Sequence, residues 1–335
     1  MKRSFAAVVA LAILGAASPV RADRVLRFGT LPPEGSTYME DLEGIARDVE
    51  RLSDGELKIK WIGGGALGDD REMAKLMTEG KLDGGGFTDA GLTYIVSEMS
   101  MWGLPGLFED YAEIDYIEKK FKKRFDAKFA EKDVVLLMWA DVGFLHVFSN
   151  EPVTSLDDLR EHELWMWTDD PSGTWAMKEL GVKTTITSLG DLSKGLKDGS
   201  VDTYQYPPLA AIAWGLHPYS KYISELRYRF MVGAVVVRRD VFEELPKDQQ
   251  RLLKSVGRKW ERRIIKSWRA EGKKALKALK KGGMKTVKVG EAARKEYFRA
   301  TREIQAAFSK RFGVESLFGD VAHSLREFRD ANKSR

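Results

Sequence analysis

Aromatic rings are concentrated in the segment 156–208, where they could bind a small molecule. Trp165 and Trp167 alternate along the short apolar run LWMW, and Tyr204 and Tyr206 alternate along VDTYQY. Rings of this kind bury large apolar areas and hold flat or apolar molecules by contact, and they also attract cations to their faces. They fill protein cores equally well, so a purely structural role for any one of them stays open at this point.

Two adjacent acids follow the first of these runs, and we expect different roles for them. Asp170 precedes Pro171 at the start of a predicted helix, where an acidic side chain caps free backbone N–H groups. Adjacent side chains on a strand or turn tend to point apart, so Asp169 and Asp170 are not expected to act as an acid–base pair. Asp169 is left to face a ligand or a cation.

The chain shows no catalytic or metal-binding pattern. It has no cysteine, and its four histidines are far apart in sequence, with no pair at the i, i+4 spacing of a zinc helix. No serine lies in a Gly-x-Ser-x-Gly turn. We therefore predict that the protein is not an enzyme and has no metal or other cofactor. In the competing hypothesis of an enzyme, Glu72 or Asp202 would act as the base.

Residues 1–22 have the pattern of a secretory signal peptide. Lys2 and Arg3 precede an apolar run, and Val20-Arg21-Ala22 offers small residues at the −3 and −1 positions of a cleavage site. The apolar run is short for a membrane span, and no second run follows it. We predict cleavage after Ala22 and a periplasmic mature protein without direct membrane insertion. Because the chain has no cysteine, we expect no lipid anchor.

The charge balance argues against a nucleic-acid partner. The whole chain has 55 basic and 50 acidic residues, a formal net charge of +5. Lys2, Arg3 and Arg21 leave with the predicted signal peptide, so 52 basic residues face the same 50 acidic ones. Nucleic-acid-binding domains carry a stronger basic excess, so we expect no nucleic-acid binding.

The elements that would position these side chains begin with a strand–helix–strand pattern. The segment 25–31 is an apolar strand, the apolar positions from Met39 to Leu52 recur every three or four residues as on one helix face, and 57–61 is a second strand. Such a unit predicts a parallel sheet flanked by helices. LWMW and VDTYQY are predicted as short strands, and 133–150 as two strands in quick succession.

A long helix and two α/β domains complete the prediction. From Pro246 to Trp268 apolar residues recur every three or four positions with Lys and Arg between them, which indicates an amphipathic helix. The predicted limits are 23–146 and 231–245 for domain I, 147–230 for domain II, 246–282 for a helix that spans both domains, and 283–335 for C-terminal helical segments.

Six segments follow one another in the order and spacing of a known family. They are RFGTLPPEGSTY, GELKIKWIGGGALGDDREM, WGLPGLFEDYAE, VGFLHVFSNEPVTSLDDLR, LKDGSVDTYQYPP and YSKYIS. On these segments the chain resembles the extracytoplasmic solute-binding proteins of TRAP transporters (DctP-like) over essentially its whole predicted mature length. The resemblance implies a periplasmic binding protein-like α/β fold, with two domains joined by hinge strands, a long bracing helix and one enclosed solute. It also implies integral-membrane TRAP permease subunits as partners.

The chain departs from the pattern of that family at three positions. The resemblance places Trp165 where an arginine typically binds a ligand carboxylate, Leu145 where a further arginine often follows Gly-Phe, and Tyr206 where an asparagine usually precedes proline. Tryptophan in place of arginine removes a bidentate anion clamp and supplies a large apolar face. Glu72 matches a position that can touch polar groups of the ligand.

We therefore predict a hydrophobic or aromatic ligand that is held by buried surface rather than by a salt bridge. The predicted ligand-binding residues are Trp165, Tyr206, Tyr204, Leu145, Trp167, Glu72, Asp169, Trp214 and Phe144.

Other hypotheses remain open. A quaternary amine could lie among the aromatic rings, with Asp169 or Glu72 as its counter-charge. An organic acid could be held by a different cation, such as Lys183. A periplasmic enzyme on the same fold is the alternative from another class. A sensor subunit that binds the same ligand would have the same sequence features as a transporter receptor.

Overall fold

The computed structural model describes residues 23–332. The predicted signal peptide, 1–22, lies outside the described residues, as do 333–335. Between residues 23 and 332 no helix has the length and apolar character needed to cross a membrane.

The described part of the chain alternates strands and helices. The strands are β1 (Arg24–Thr30), β2 (Leu57–Ile62), β3 (Gly84–Thr88), β4 (Val134–Ser149), β5 (Leu164–Trp167), β6 (Thr184–Thr187), β7 (Thr203–Tyr206), β8 (Tyr222–Ser224), β9 (Arg229–Arg238) and β10 (Lys285–Val287). The α-helices are α1 (Thr37–Leu52), α2 (Asp70–Thr78), α3 (Asp89–Thr93), α4 (Tyr111–Glu131), α5 (Leu156–Glu161), α6 (Pro171–Glu179), α7 (Leu189–Asp198), α8 (Pro208–Ala213), α9 (Arg239–Glu244), α10 (Lys247–Lys281), α11 (Glu291–Arg311) and α12 (Glu315–Asn332).

The strands follow the order β2-β1-β3-β9-β4-β7-β5-β6, and β8 joins β4 and β10 beside this path. β1 and β2 are parallel, which confirms the prediction from the strand–helix–strand pattern. LWMW forms β5 and TYQY forms β7, so both predicted strands of the aromatic segment are present.

The segment 133–150 is a single strand, so the prediction of two strands is wrong. β4 runs for 16 residues and pairs antiparallel with β9, with irregularities between Leu136 and Met138 and between Asp141 and Gly143. A bulge bends a strand and increases its twist without ending it. Gly143 has φ of 129°, a conformation that glycine adopts without steric conflict.

Two α/β domains share the long strands β4 and β9. The C-terminal half of β9 pairs with β3, and β3 pairs with β1. The C-terminal half of β4 pairs instead with β7, which adjoins β5 and β6. β4 and β9 therefore pass from one domain to the other as hinge strands. The two-domain α/β fold is confirmed, and the predicted domain limits stay a prediction.

The long helix predicted for 246–282 is α10. Its 35 residues extend for about 50 Å at 1.5 Å per residue. The Trp260 indole N–H donates to Asp48 of α1 at 2.9 Å. Gly44 of α1 lies under the same ring, where a Cβ would come within 2.3 Å of it. α10 also packs on β4 and α8, so it braces elements from both ends of the sheet.

The segment 283–335, which was predicted as helical, begins with a strand. β10 pairs parallel with β8, and only then do α11 and α12 follow. α11 packs on α5 and α6, whereas α12 packs on α4. The two C-terminal helices are thus attached to different halves of the molecule.

The side chains of β5 alternate between two hydrophobic clusters. Leu164 and Met166 belong to the smaller cluster, which lies under α5 and α6. Trp165 and Trp167 belong to the main core, together with Tyr206. The two-residue period of a strand therefore turns both tryptophans toward the interdomain side.

Candidate functional site

A cavity of about 70 Å³ lies between the two domains. It is bounded by the C-terminal ends of β1, β3 and β7, the middle of β4 and β9, and residues of α1, α8 and α10. Its aromatic walls come from Tyr38, Phe87, Tyr206, Trp214 and Trp268. None of the described residues that line it carries a formal charge at neutral pH. The cavity can therefore enclose apolar surface but offers no ion pair to a ligand.

The wall of the cavity on the side of α1 is held by hydrogen bonds. The Tyr38 hydroxyl donates to the Val142 carbonyl at 3.2 Å, and the Trp268 indole N–H donates to Asp41 at 3.0 Å. The two rings meet edge to face with centroids 4.5 Å apart. Burial raises the pKa of Tyr38 well above its ordinary value, so its hydroxyl is neutral. This wall is preorganised for a ligand.

Tyr206 lines the cavity from the other domain. Its ring is 5% exposed and packs edge to face with Trp165 at 6.4 Å between centroids. Burial raises the pKa of its phenol, the carboxylates of Asp70 and Asp69 raise it further, and Arg229 lowers it. Tyr206 therefore presents a neutral hydroxyl that can donate or accept one hydrogen bond.

Trp165 and Leu145 lie behind the cavity rather than on its surface. Trp165 is 3% exposed, and its indole N–H donates to Thr187 Oγ1 at 2.9 Å. Leu145 is 1% exposed, and neither side chain lines the cavity. The two positions at which the resemblance implies arginines thus hold buried apolar side chains, of which Trp165 packs against the cavity-lining ring of Tyr206.

Tyr204 and Phe144 make the contacts of core residues. Tyr204 stacks on Phe148 with centroids 4.8 Å apart. Phe144 packs between Tyr111 and Phe230 at 5.0 and 5.2 Å. Neither ring lines the uncharged cavity, so a ligand-binding role for them stays a prediction.

Trp214 connects the uncharged cavity to a more polar one. It also lines a cavity of about 360 Å³ that is bounded by Glu72, Asp69, Asp169 and Arg71. The Glu72 side chain is half exposed and lies 3.5 Å from Arg71. Three residues of the predicted site, Trp214, Glu72 and Asp169, are therefore brought together at the edge of the interdomain cleft.

Asp69 and Asp169 each bond to the opposite domain. Asp69 Oδ2 accepts from the Trp167 indole N–H at 2.8 Å and from the backbone N–H of Leu189 at 3.1 Å. Asp169 Oδ2 accepts from the backbone N–H of Arg71 at 2.6 Å. Each carboxylate satisfies a free N–H in the first turn of the other domain's helix, α7 or α2. These bonds hold the domains together at the cleft edge.

A buried charged cluster lies next to Tyr206, and the sequence pattern does not predict it. Arg229 Nη2 is 2.7 Å from Asp170 Oδ2, and its Nη1 is 3.9 Å from Asp89 Oδ2. Asp170 also caps α6, as predicted, by accepting from the backbone N–H of Gly173 at 2.8 Å. The one sequence signal is an arginine at the start of the otherwise apolar run RFMVGAVVV.

Asp70 extends this cluster toward domain I. Its Oδ2 accepts from the Thr88 backbone N–H at 2.9 Å and from the Thr88 hydroxyl at 2.6 Å. Complete burial nevertheless raises the pKa of Asp70 to about 7. Burial also raises the pKa of Asp89, although Arg229 lowers it. Protons on these acids limit the net negative charge of the interior.

The remaining candidates lie away from the uncharged cavity. Lys183 is 59% exposed and lies 3.7 Å from Glu161. Asp202 accepts from the Glu163 backbone N–H at 3.2 Å and lies 3.3 Å from His162. Within residues 23–332, no group of three His, Asp or Glu side chains is arranged to hold a metal ion.

The chain matches a known protein family over most of its length. The family model described as "Bacterial extracellular solute-binding protein, family 7" (DctP) matches residues 28–311. A solute-binding protein of Verminephrobacter eiseniae is 23% identical over 301 residues, which cover 88% of both chains. The crystal structure of DctP7, a Bordetella pertussis extracytoplasmic solute receptor binding pyroglutamic acid, has a TM-score of 0.83 at 17% identity and covers 90% of this chain and 99% of that one. A TRAP periplasmic solute-binding protein from Haemophilus influenzae with bound L-gulonate has the same TM-score, identity and coverage.

Proposed function

The chain belongs to the DctP family of bacterial extracellular solute-binding proteins, and we propose that it is the receptor for a neutral, apolar or aromatic small molecule. It is a solute receptor of the TRAP type and not an enzyme. Receptors of this type are periplasmic and act with membrane permease subunits. The signal peptide and its cleavage after Ala22 stay predictions.

The absence of formal charge from the described lining of the interdomain cavity carries this proposal. A ligand carboxylate that entered the cavity would lose its hydration without gaining a cation in return. Apolar surface that leaves water contributes about 25 cal/mol per Å² to binding. The walls therefore favour ligands whose affinity comes from buried apolar area.

The polar groups that face the cavity suit a neutral ligand with a single polar end. Tyr206 and Thr30 line it with hydroxyls, each of which can donate or accept a hydrogen bond. An alcohol, phenol, ketone or amide could use such partners without carrying a charge. Purely apolar compounds would also fit but would gain less specificity.

The two similar solved structures are described with acids, pyroglutamic acid and L-gulonate. These two ligands are those of the two similar proteins. In this chain Trp165 and Leu145 stand where the family resemblance implies arginines, and both are buried side chains without charge. This difference supports a change in ligand charge between those receptors and this one.

Mass spectrometry of the purified protein, native and after extraction with organic solvent, tests the proposal. We expect a neutral compound to co-purify, because an apolar ligand gains little by leaving for water. A co-purifying carboxylic acid would contradict the proposal. Calorimetry with the identified compound and its carboxylate analogue then measures the preference for the uncharged form, which we expect to be at least about tenfold.

A cationic ligand is the second candidate, and Trp214 is the observation that favours it. Its ring lines both the uncharged cavity and the acidic edge with Glu72 and Asp169. A quaternary amine could lie on the ring with its charge toward these acids. Choline and its neutral isostere 3,3-dimethylbutanol separate the two candidates in a thermal-shift assay. A larger rise of the melting temperature with choline than with 3,3-dimethylbutanol would favour the cationic ligand, provided that Glu72→Gln abolishes the difference.

A further inference from the structure

Arg229 lies beside the uncharged cavity, on a strand that forms one of its walls. Residues two apart on a strand face the same side, and Met231 and Gly233 line the cavity from the face of β9 that also carries Arg229. The charge of Arg229 also reaches Tyr206, whose pKa it lowers against the larger raising effect of burial. A guanidinium at such a place is a natural partner for a carboxylate.

Asp170 already supplies that carboxylate. Its Oδ2 lies 2.7 Å from Arg229 Nη2. Arg229 Nη1 donates to the Gly103 carbonyl at 3.1 Å and lies 3.9 Å from Asp89. Arg229 is 3% exposed, and Asp170 and Asp89 are each 1% exposed. Asp170 is therefore the principal partner of a guanidinium that has no access to water.

Two glycines make room for this pair. A Cβ on Gly173 would come within 2.3 Å of Asp170 Oδ2 and 3.1 Å of Arg229 Nη1. A Cβ on Gly103 would come within 2.5 Å of Arg229 Nη1 and of Asp89 Oδ2. The distances of 2.3 and 2.5 Å are shorter than real contacts of a Cβ atom. Any larger side chain at either glycine would therefore displace the charged groups. The backbone around Arg229 is shaped to hold a carboxylate against it.

The charges of Arg229, Asp170 and Asp89 balance when Asp89 keeps its proton. Burial raises the pKa of Asp89, and the neighbouring charge of Asp170 raises it further, against the opposite effect of Arg229. A second ionised carboxylate would leave a net buried negative charge, which is costly. Arg229 and Asp170 then form a neutral pair, with no positive charge left for a ligand.

We propose that Arg229 is a carboxylate-binding site that the chain fills with its own Asp170. Because Asp170 already neutralises its charge, Arg229 offers no attraction to an acidic ligand in the adjacent cavity, so Asp170 excludes carboxylates from the receptor. The inference rests on the proposed function and deepens it, because it names the residue that selects for uncharged ligands. Without the Asp170 carboxylate, the site would take a small monocarboxylate such as acetate.

Asp170→Gly is the variant that opens the site. Glycine is a favourable N-cap residue for α6, and it lacks the whole CH₂–COO⁻ group, which leaves a space of about the size of acetate next to Arg229. Melting temperatures are compared at pH 7 in about 100 mM sodium acetate and in about 100 mM acetamide with sodium chloride at equal ionic strength. Binding of acetate at about ten times its Kd raises the melting temperature of a chain of this size by about 2 °C.

The expected result is a higher melting temperature in acetate than in acetamide for Asp170→Gly, and no difference for the wild type. Asp170→Asn, which fills the same space without charge, is the matched control and should show no rise. Equal melting temperatures of Asp170→Gly in the two solutions would overturn the proposal. If Asp170→Gly is unfolded in chloride, recovery of its circular dichroism in acetate alone supports the proposal, and recovery in neither contradicts it.

The acetate response and the proposed function can fail separately. The response reports whether the guanidinium of Arg229 accepts a carboxylate once residue 170 lacks one. The ligand that co-purifies with the wild type reports whether the natural solute is uncharged. A wild type that holds an acid together with an acetate-responsive Asp170→Gly would remove the proposed ligand class and the excluding role of Asp170, but keep the carboxylate site at Arg229.

Discussion

Two regions of this receptor meet at Tyr206 and differ in how they handle charge. On one side lies the cavity, whose described lining is uncharged. On the other side lies the cluster of Arg229, Asp170, Asp89 and Asp70, in which ion pairing and hydrogen bonds are made within the chain itself. In the receptor as we propose it, a buried arginine beside the ligand site does not make that site prefer anions. What matters is whether the chain or the ligand supplies its partner.

Loss of the Arg229 guanidinium should lower the stability of the protein more than any other change to the charged region. Arg229→Met leaves Asp170 buried without its partner, and breaking a buried pair in this way destabilises a protein by about 3–5 kcal/mol. Urea unfolding measures the difference. Arg24→Met is the matched control, because Arg24 forms an exposed pair with Glu244 at 3.0 Å and should change stability by no more than about 1 kcal/mol. Similar losses in the two variants would mean that the cluster is not a paired unit.

The charged region should also make stability depend on pH. Burial raises the pKa of Asp70 from 3.8 to about 7, with Asp169 and Asp69 adding to the effect. Between about pH 4 and 7 the folded protein therefore keeps a proton that the unfolded chain releases. The stabilisation from this group is complete below about pH 4 and is lost as the pH rises toward 7, by up to about 4 kcal/mol.

Asp70→Asn should remove that part of the pH dependence. The free energy of unfolding in urea at pH 4.5 and 7.5 measures it, and the variant should show a smaller fall between the two than the wild type. Asp198→Asn serves as the control, since Asp198 is on the surface and has a lowered pKa through its bonds to Ser200. Parallel pH profiles for the wild type and Asp70→Asn would show that Asp70 is ionised in the folded protein.

The uncharged region should respond in affinity rather than in stability. Trp214→Ala removes a half-buried ring from the cavity wall, and we expect affinity for the co-purifying ligand to fall by about 1.5–3 kcal/mol in calorimetry. Trp175→Ala is the matched control. Trp175 is also half-buried but packs on Phe308 of α11 and on Phe312, which follows that helix, so its loss should lower the melting temperature and spare affinity. The reverse pattern would place the ligand elsewhere.

The smallest expected effect on ligand affinity comes from removing the hydrogen bonds that join the two domains at the cleft edge. Asp69→Ala removes two bonds to the opposite domain, from Trp167 and Leu189, and should weaken ligand binding by about 1–2 kcal/mol through a less stable closed state. Asp69 makes no side-chain cap on α2, so that helix should be unaffected. Ser155→Ala removes an ordinary cap, on α5, and should lower stability alone. Small-angle X-ray scattering with ligand should show a more open Asp69→Ala protein.

Much of the fold followed from local patterns. The three-and-four spacing of apolar residues predicted α1 and α10, and alternation predicted β5 and β7, because these periods are properties of single elements. The prediction failed at 133–150, where a bulge at Gly143 lets one strand bend between the domains. It also missed β10, a short strand that pairs with β8, which is far away in sequence.

The sequence by itself determined which positions lack arginine, and it placed Trp165, Leu145 and Tyr206 near one another through the family pattern. Only the tertiary structure decided that Tyr206 and Trp214 line the cavity while Trp165 supports its wall. The contact between Arg229 and Asp170 was also decided by the tertiary structure alone. These residues lie on different elements, and their contact depends on how β9 and α6 pack, a long-range arrangement that no local pattern of residues encodes.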